Sequence, residues 1–197
     1  MRSQTLDVLR PSTYPARPIN GGPLELAPPK PGQWYYEPKY NGWRALVHAP
    51  TGRMFNRRGQ PLSIAGLFTG ALQRLRRLEL QTGGGPVEWF DCEALCRRHR
   101  LGQATLLVFD YISPAGELLC QRKKLLADAF PAHDYVQPPL PEELYGVRPL
   151  DPDKTDPQAL YGELRKLNAC WRCLFYEGLV AKRFTDPYAI SSPSFTR

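Results

Sequence analysis

Residues 34–48 read WYYEPKYNGWRALVH, and this stretch decides how the chain is expected to fold. Aromatic and aliphatic residues stand on both sides of the pair Asn41-Gly42. An Asn-Gly pair between apolar runs is the strongest short-range signal for a tight turn between antiparallel strands. We therefore predict a hairpin whose strands cover residues 34–39 and 42–48.

The hairpin prediction places Lys39 at the tip of the turn. A lysine beside such a turn is usually a solvated residue that protects a sheet edge. The position of Lys39 therefore indicates no chemistry until other parts of the chain supply partners for it.

The composition fits one domain. The chain has 197 residues, no long apolar run and no secretory signal at its N-terminus, which predicts a soluble cytoplasmic protein, nucleoid-associated in a bacterium or virus. Five cysteines without disulfide spacing suit a reducing compartment, and we interpret the Cys170–Cys173 CxxC as helix-face residues. The net charge of +7 favours polyanionic partners.

The remaining pattern alternates short strands with a few helices, which predicts an α+β fold. The predicted strands cover residues 53–56, 87–96, 104–112 and 175–184. The predicted helices cover residues 64–80, 122–130 and 157–173, the last capped by Asp156. Residues 1–33 are rich in proline and glycine and form a separate N-terminal arm.

Two pairs of charged residues occur on predicted strands. Asp91 and Glu93 stand two residues apart, so their carboxylates point to the same face and need a cation, a donor or water. Glu177 and Lys182 bracket an apolar run that fits a buried strand.

Several segments resemble motifs of the covalent nucleotidyltransferases, which include ATP-dependent DNA ligases, RNA ligases and mRNA capping enzymes. KYNGWR at 39–44 resembles the motif KxDGxR, EWFDCEAL at 88–95 resembles a motif with a DGE core, and YEGLVAKRF at 176–184 resembles EGxxxK. LLVFDYI at 106–112 resembles a motif in which an aromatic residue and an aspartate end a strand. NRRGQPLS at 56–63 is similar to a short SRxG-like motif.

The resemblance implies an adenylation domain over residues 34–197. It implies largely antiparallel sheets flanked by helices, with a nucleotide cleft between them. Residues 185–197 resemble the linker before a further motif with two lysines, so we expect a catalytic domain taken from a longer ligase, without its oligonucleotide-binding barrel.

The resemblance also implies a reaction. Lys39 would attack the α-phosphate of ATP, expel pyrophosphate and become a lysyl-AMP, and the AMP would pass to a 5′-phosphate to seal nicked DNA. A monomer acting on DNA, without a membrane, is expected. The attacking amine must be neutral, and burial or nearby cations such as Arg44 and Lys182 would favour that form.

By the same resemblance, a set of side chains would hold ATP and Mg²⁺. The residues implied to contact the nucleotide are Glu37 at the adenine edge, Phe109 stacked on the adenine, Arg44 and Arg57 near the ribose, Lys182 at the phosphates, and Glu93. The residues implied to hold Mg²⁺ are Glu177 and Glu93, since this ion prefers a few carboxylate oxygens.

Two positions depart from the motifs, and other functions remain open. Asn41 stands where an aspartate is usual, so a role that needs an anion would be lost, and Cys92 replaces a glycine. An RNA ligase or a capping guanylyltransferase is the nearer alternative. A non-catalytic, basic nucleic-acid-binding module that kept the fold is the alternative from another class.

Overall fold

A five-stranded sheet lies at the centre of the described part of the chain. The computed structural model describes residues 34–96, 101–113, 115–150 and 156–188. The predicted N-terminal arm and residues 189–197 lie outside the described residues. No described helix is long and apolar enough to cross a membrane.

The regular elements are nine strands and three α-helices among the described residues. The strands are β1 (Trp34–Tyr40), β2 (Trp43–His48), β3 (Arg53–Phe55), β4 (Gln81–Thr82), β5 (Gly85–Pro86), β6 (Trp89–Leu95), β7 (Thr105–Tyr111), β8 (Leu144–Gly146) and β9 (Tyr176–Arg183). The helices are α1 (Thr69–Arg77), α2 (Leu119–Ala129) and α3 (Pro157–Trp171).

The strands form one large and two small sheets. The five-stranded sheet has the order β3-β2-β6-β7-β8, and only its β7–β8 pair is parallel. β1 pairs with β9 in an antiparallel two-stranded sheet, and β4 pairs with β5 in another. The fold is therefore α+β with largely antiparallel sheets and flanking helices, which confirms the predicted fold class.

The two faces of the five-stranded sheet carry different side chains, because neighbouring residues of a strand point to opposite faces. On β6, Cys92 and Ala94 are fully buried in the larger apolar core, which α1 and α2 cover. Cys92 therefore replaces the expected glycine by filling core space. Asp91 and Glu93 point to the opposite face, towards the β1–β9 sheet.

The predicted hairpin at Asn41-Gly42 is wrong. β1 pairs with β9 and β2 pairs with β3 and β6, so the Asn-Gly pair joins two sheets and Lys39 lies opposite Gly178. The backbone of Asn41 donates to the carbonyl of Phe175 at 2.9 Å. This contact, from residues remote in sequence, directs the chain away from the hairpin.

Gly42 is needed for a close approach between strands. A Cβ at this position would lie 2.8 Å from the Ala94 carbonyl oxygen and 2.8 Å from the Glu93 Cγ. Its φ is not positive, unlike a residue in the expected turn. The glycine of the Asn-Gly pair is therefore required by close packing against β6 and not by a turn conformation.

Most other elements match the predictions. β3, β6, β7, α3 and β9 form where they are expected, and the Asp156 side chain caps α3 by accepting from the Gln158 N–H at 3.0 Å. The helix expected at 64–80 is a 3₁₀ turn followed by the shorter α1. α2 begins at Leu119, because the N–H groups of its first turn bind carbonyls of Asp186 and Phe184 beyond β9.

We predict that Gly42→Ala lowers the free energy of unfolding by about 1–3 kcal/mol, because the added methyl group has no room beside β6. Chemical denaturation measures the change. Gly70→Ala is the control, since Gly70 lies in α1 with no atom within 4 Å of an added Cβ. That variant should gain about 0.5–1 kcal/mol. Equal stability of Gly42→Ala and the native protein would contradict the packing role.

Candidate functional site

Charged side chains from both sheets meet around the ring of Phe109, on the face of the five-stranded sheet that looks towards β1 and β9. The Lys182 Nζ of β9 lies 4.7 Å from the Phe109 ring centroid, and the Arg44 guanidinium carbon of β2 lies 5.4 Å from it. Both distances permit a cation–π contact. The half-buried Phe109 ring is thus in contact with two cations.

Lys39 is exposed at the edge of this region. Its Nζ forms an ion pair with the Glu177 Oε2 at 2.6 Å, and its side chain is 53% exposed. Lys39 is therefore not buried, and an effect of nearby cations on its amine stays a prediction. The nearest charged partner of Lys39 is a carboxylate.

Lys182 is held by Glu37, which lies two residues before Lys39. The Lys182 Nζ donates to the Glu37 Oε2 at 2.7 Å, while the other Glu37 oxygen pairs with the Lys123 Nζ of α2. Glu37 is only 2% exposed, so its charge needs cations. One buried carboxylate is therefore shared by two lysines.

Arg44 is held by Asp91 in a two-pronged ion pair. Its Nε and Nη2 donate to the two Asp91 oxygens at 3.0 and 2.6 Å, and the Tyr188 hydroxyl donates to the same carboxylate. Asp91 is fully buried, so this geometry satisfies its charge and fixes the guanidinium beside Phe109. Asp91 therefore meets the cation that the sequence pattern required.

Glu93 occupies a largely buried position next to Gly42, whose N–H donates to its Oε1 at 2.8 Å. The pKa of Glu93 is raised to about 8, mainly because burial penalises the charged carboxylate. The Gly42 hydrogen bond lowers the pKa, whereas the nearby charges of Asp91 and Glu177 raise it. Glu93 and Glu177 are thus close enough to interact.

Glu93 and Glu177 provide oxygen donors of the type that Mg²⁺ prefers, and one or two carboxylates suffice for this ion. No group of three or more acidic, histidine or cysteine side chains that could hold a metal occurs within the described ranges. Because Glu93 keeps a proton near neutral pH, a cation bound there would have to displace that proton.

The structure brings most of the predicted site residues together. Those that meet in this region are Glu37, Lys39, Arg44, Glu93, Phe109, Glu177 and Lys182. Arg57 is the exception: it lies in the turn after β3, and its side chain forms no ion pair with any described residue. β9 is half-buried with Glu177 exposed, so the predicted buried strand is also wrong, because β9 is part of a two-stranded sheet.

Lys123 and Arg122 belong to the site but were not among the predicted residues. Both are buried, and they share one face of α2 with Leu119 and Leu126. A helix that starts at Leu119 places positions 119, 122, 123 and 126 on one face, so the helical period contained the signal. It was missed because the carboxylates that allow these two cations to be buried, Glu37 and Asp110, lie on other elements of the chain.

Arg122 connects α2 to the chain beyond β9. Its Nε and Nη2 donate to the Asp110 carboxylate at 2.8 and 3.1 Å, and its Nη1 donates to the Asp186 carbonyl at 3.2 Å. Arg122 and Asp110 are both nearly fully buried. This pair fixes the segment that delivers the Tyr188 hydroxyl to Asp91.

Asn41 uses its amide in a way that an aspartate could not. The Asn41 Nδ2 donates to the Leu174 carbonyl at 2.7 Å, in the segment just before β9. A carboxylate has no proton to donate and would face the carbonyl oxygen. The departure from the expected aspartate therefore has a structural cause.

Solved structures with a similar fold are DNA ligases. A structure from a study of Lig E DNA ligases, described as DNA binding with a minimal scaffold, has a TM-score of 0.56 at 14% identity and covers 90% of this chain and 65% of that one. The ligase domain of M. tuberculosis LigD has a TM-score of 0.50 at 22% identity, covering 81% and 50%. Mycobacterial DNA ligase D complexed with ATP and MES has a TM-score of 0.48 at 23% identity, covering 90% and 56%.

The likeness to Lig E and LigD shows the fold: the chain has the α+β fold of DNA ligase domains. The chain spans 65% of the Lig E chain and half of the LigD ligase domain. No protein-family model matches the chain, and no curated protein sequence matches it.

We predict that the contribution of Glu93 to the free energy of unfolding decreases as the pH rises from about 5 to about 8. Because the pKa is higher in the folded state, the folded protein keeps a proton that the unfolded chain releases. The stability of the native protein relative to Glu93→Gln should therefore decrease over this range. Denaturation at several pH values, with a chelator present, measures it.

The exposed Gln73, which has no titratable group, supplies the control for this pH dependence. The native protein and Gln73→Ala should differ by a constant amount across the same pH range. A constant difference for Glu93→Gln as well would contradict the raised pKa.

We predict that Asn41→Asp lowers the free energy of unfolding by about 0.5–1.5 kcal/mol, because the donor to the Leu174 carbonyl is lost. Asn56→Asp is the matched control. The Asn56 Oδ1 accepts from the N–H groups of Arg58 and Gln60 at 2.8 and 3.2 Å, which an aspartate can also do. The donor that this variant loses binds the exposed Gln60 side chain at 3.1 Å, and that side chain can turn to water instead. Urea denaturation at pH 7 compares the two variants, and equal losses would show that the Asn41 amide has no special role.

Proposed function

We propose that the chain is the nucleotidyltransferase domain of an ATP-dependent ligase that seals nicked DNA through a lysyl-AMP at Lys39. The observation that supports this most is the meeting of Lys39, Glu37, Phe109 and Lys182 in one region. These residues come from three resembling segments, and Glu37 and Lys182 are separated by 145 positions in the sequence. A coincidental motif match has no reason to converge in space.

In the proposed reaction, the Lys39 Nζ bonds to the α-phosphorus of ATP while the bond from that phosphorus to the pyrophosphate oxygen breaks. The ammonium must first lose its proton. The Glu177 carboxylate, 2.6 Å from the Nζ, is placed to accept it. The exposure of Lys39 leaves the amine accessible to a nucleotide.

Phe109 and its two cations would hold the nucleotide. The aromatic ring offers a flat surface for the adenine, and Lys182 is placed to reach the phosphates. The Asp91 ion pair keeps the Arg44 guanidinium beside the ring, on the side where the ribose would lie. Arg57 would have to reach the ribose from the turn after β3.

Glu177 and Glu93 are the residues that would hold Mg²⁺, which would neutralise phosphate charge. The nucleotide phosphates compete with Glu37 for the Lys182 ammonium. Binding of ATP would therefore exchange the Lys182–Glu37 ion pair for contacts with phosphate, while Glu177 stays beside the Lys39 Nζ.

The nucleic-acid partner we propose is nicked DNA, with RNA as the alternative. The net charge of +7 favours a phosphate backbone. The similar Lig E structure is described as binding DNA, which supports the choice of DNA here. Competition between ATP and GTP, followed by a comparison of nicked DNA with nicked RNA, separates this function from RNA ligation and capping.

A non-catalytic nucleic-acid-binding module is the second candidate. The exposed, ion-paired state of Lys39 favours it, because a charged ammonium is not a nucleophile. This candidate requires that Lys39→Ala leaves DNA binding intact and that the native protein forms no covalent adduct.

We predict that incubation with ATP labelled at the α-phosphate and Mg²⁺ labels the native protein covalently and that Lys39→Ala abolishes the label. An alanine has no amine to form the phosphoramidate bond. Gel electrophoresis of the denatured protein measures the label. Lys124→Ala is the control, since Lys124 is an exposed lysine on α2, and it should label normally. Equal labelling of Lys39→Ala would exclude Lys39 as the nucleophile.

A further inference from the structure

Lys123 is a buried ammonium with three oxygen partners. Its side chain is 2% exposed, and its Nζ pairs with the Glu37 Oε1. The same Nζ donates to the Phe109 carbonyl at 2.5 Å and to the Val147 carbonyl at 3.3 Å. One ion pair and two hydrogen bonds therefore connect the ammonium to β1, β7 and the segment after β8.

The charges around Glu37 do not cancel. Burial lowers the pKa of Lys123, whereas its contact with the Glu37 carboxylate opposes that shift. With Glu37 ionised and both lysines protonated, the three side chains together have a net charge of +1. Lys123 is enclosed, whereas the Lys182 side chain is 22% exposed and lies over the Phe109 ring. The excess positive charge is therefore accessible to solvent at Lys182, beside the Phe109 ring.

Without Lys123, the net charge of the side chains around Glu37 would fall from +1 to zero. Glu37 would face Lys182 alone, and the two would form a neutral pair with both carboxylate oxygens available to one ammonium. A neutral pair attracts an incoming anion far less than a free cation does. The buried lysine thus controls how strongly Lys182 can attract phosphate, although it is enclosed among β1, α2 and β7.

We propose that Lys123 is a positioning residue that offsets the charge of Glu37, and so keeps Lys182 attractive to the phosphates of a nucleotide bound at Phe109. The identity of that ligand as ATP rests on the proposed function. The charge mechanism itself concerns any phosphate-bearing nucleoside. The same contacts connect the backbone of Phe109 to β1.

The test compares the binding of ATP with that of adenosine by isothermal titration calorimetry, without Mg²⁺. Adenosine lacks phosphates, so the ratio of the two affinities isolates the attraction of the site for phosphate. A purely structural defect would weaken both ligands together. In Lys123→Met, the side chains at positions 37, 123 and 182 together have a net charge of zero. This variant should lower the ratio of the ATP affinity to the adenosine affinity about tenfold.

The double variant Glu37→Gln with Lys123→Met returns the net charge to +1, because Lys182 is then the only charged member. Its ATP-to-adenosine ratio should recover to near the native value, even though two buried side chains are changed. Lys124→Met removes an exposed lysine from the next position of α2 and should leave the ratio unchanged. Circular dichroism of each variant checks that the protein is folded.

An unchanged ratio in folded Lys123→Met would overturn the role of Lys123. If the single variant does not fold, the double variant decides: a ratio about tenfold below the native value would equally overturn it. Covalent labelling of the native protein is measured alongside. If the native protein binds ATP with a Lys123-dependent affinity ratio but forms no adduct, the proposed ligase function is contradicted and this inference is supported. Absence of ATP binding would contradict both.

Discussion

The antiparallel pairing of β1 with β9 is the constraint on which the site depends. It places Lys39 opposite Gly178 and brings Glu37 and Lys182 into contact across the two strands. The pairing is possible only because Asn41 and Gly42 carry the chain from one sheet to the other. A hairpin at this point would have kept β1 on the five-stranded sheet, and the residues that surround Phe109 would have had no opposite wall.

The second constraint is the cost of burying charge. Removing a carboxylate from water costs several kcal/mol unless cations and donors compensate it. Glu37, Asp91 and Asp110 are all buried, and each has a lysine or arginine partner with close contacts. The basic groups around Phe109 are therefore oriented before any ligand arrives, which reduces the ordering that binding would otherwise require.

Features of the structure that depend on near neighbours in the sequence were predicted, whereas features that depend on remote contacts were not. The alternation on β6 predicted that Asp91 and Glu93 share a face, and Asp156 marked the start of α3, because both signals act between near neighbours. The Asn-Gly pair misled the hairpin prediction, since its partners are the Phe175 carbonyl and β6. Lys123 was missed because the carboxylate that makes its burial possible, Glu37, lies on β1.

The sequence by itself determined the α+β class and most strands and helices, because periodicity and capping are local properties of the chain. It supplied candidate residues for a nucleotide site only through the resemblance of short motifs to the covalent nucleotidyltransferases. Only the tertiary structure decided which strands pair, which lysines share Glu37, and that Lys39 is exposed beside Glu177. The reason is physical: strand pairing and the balance of buried charge depend on groups that are more than 80 positions apart in the sequence, as Lys123 and Glu37 are.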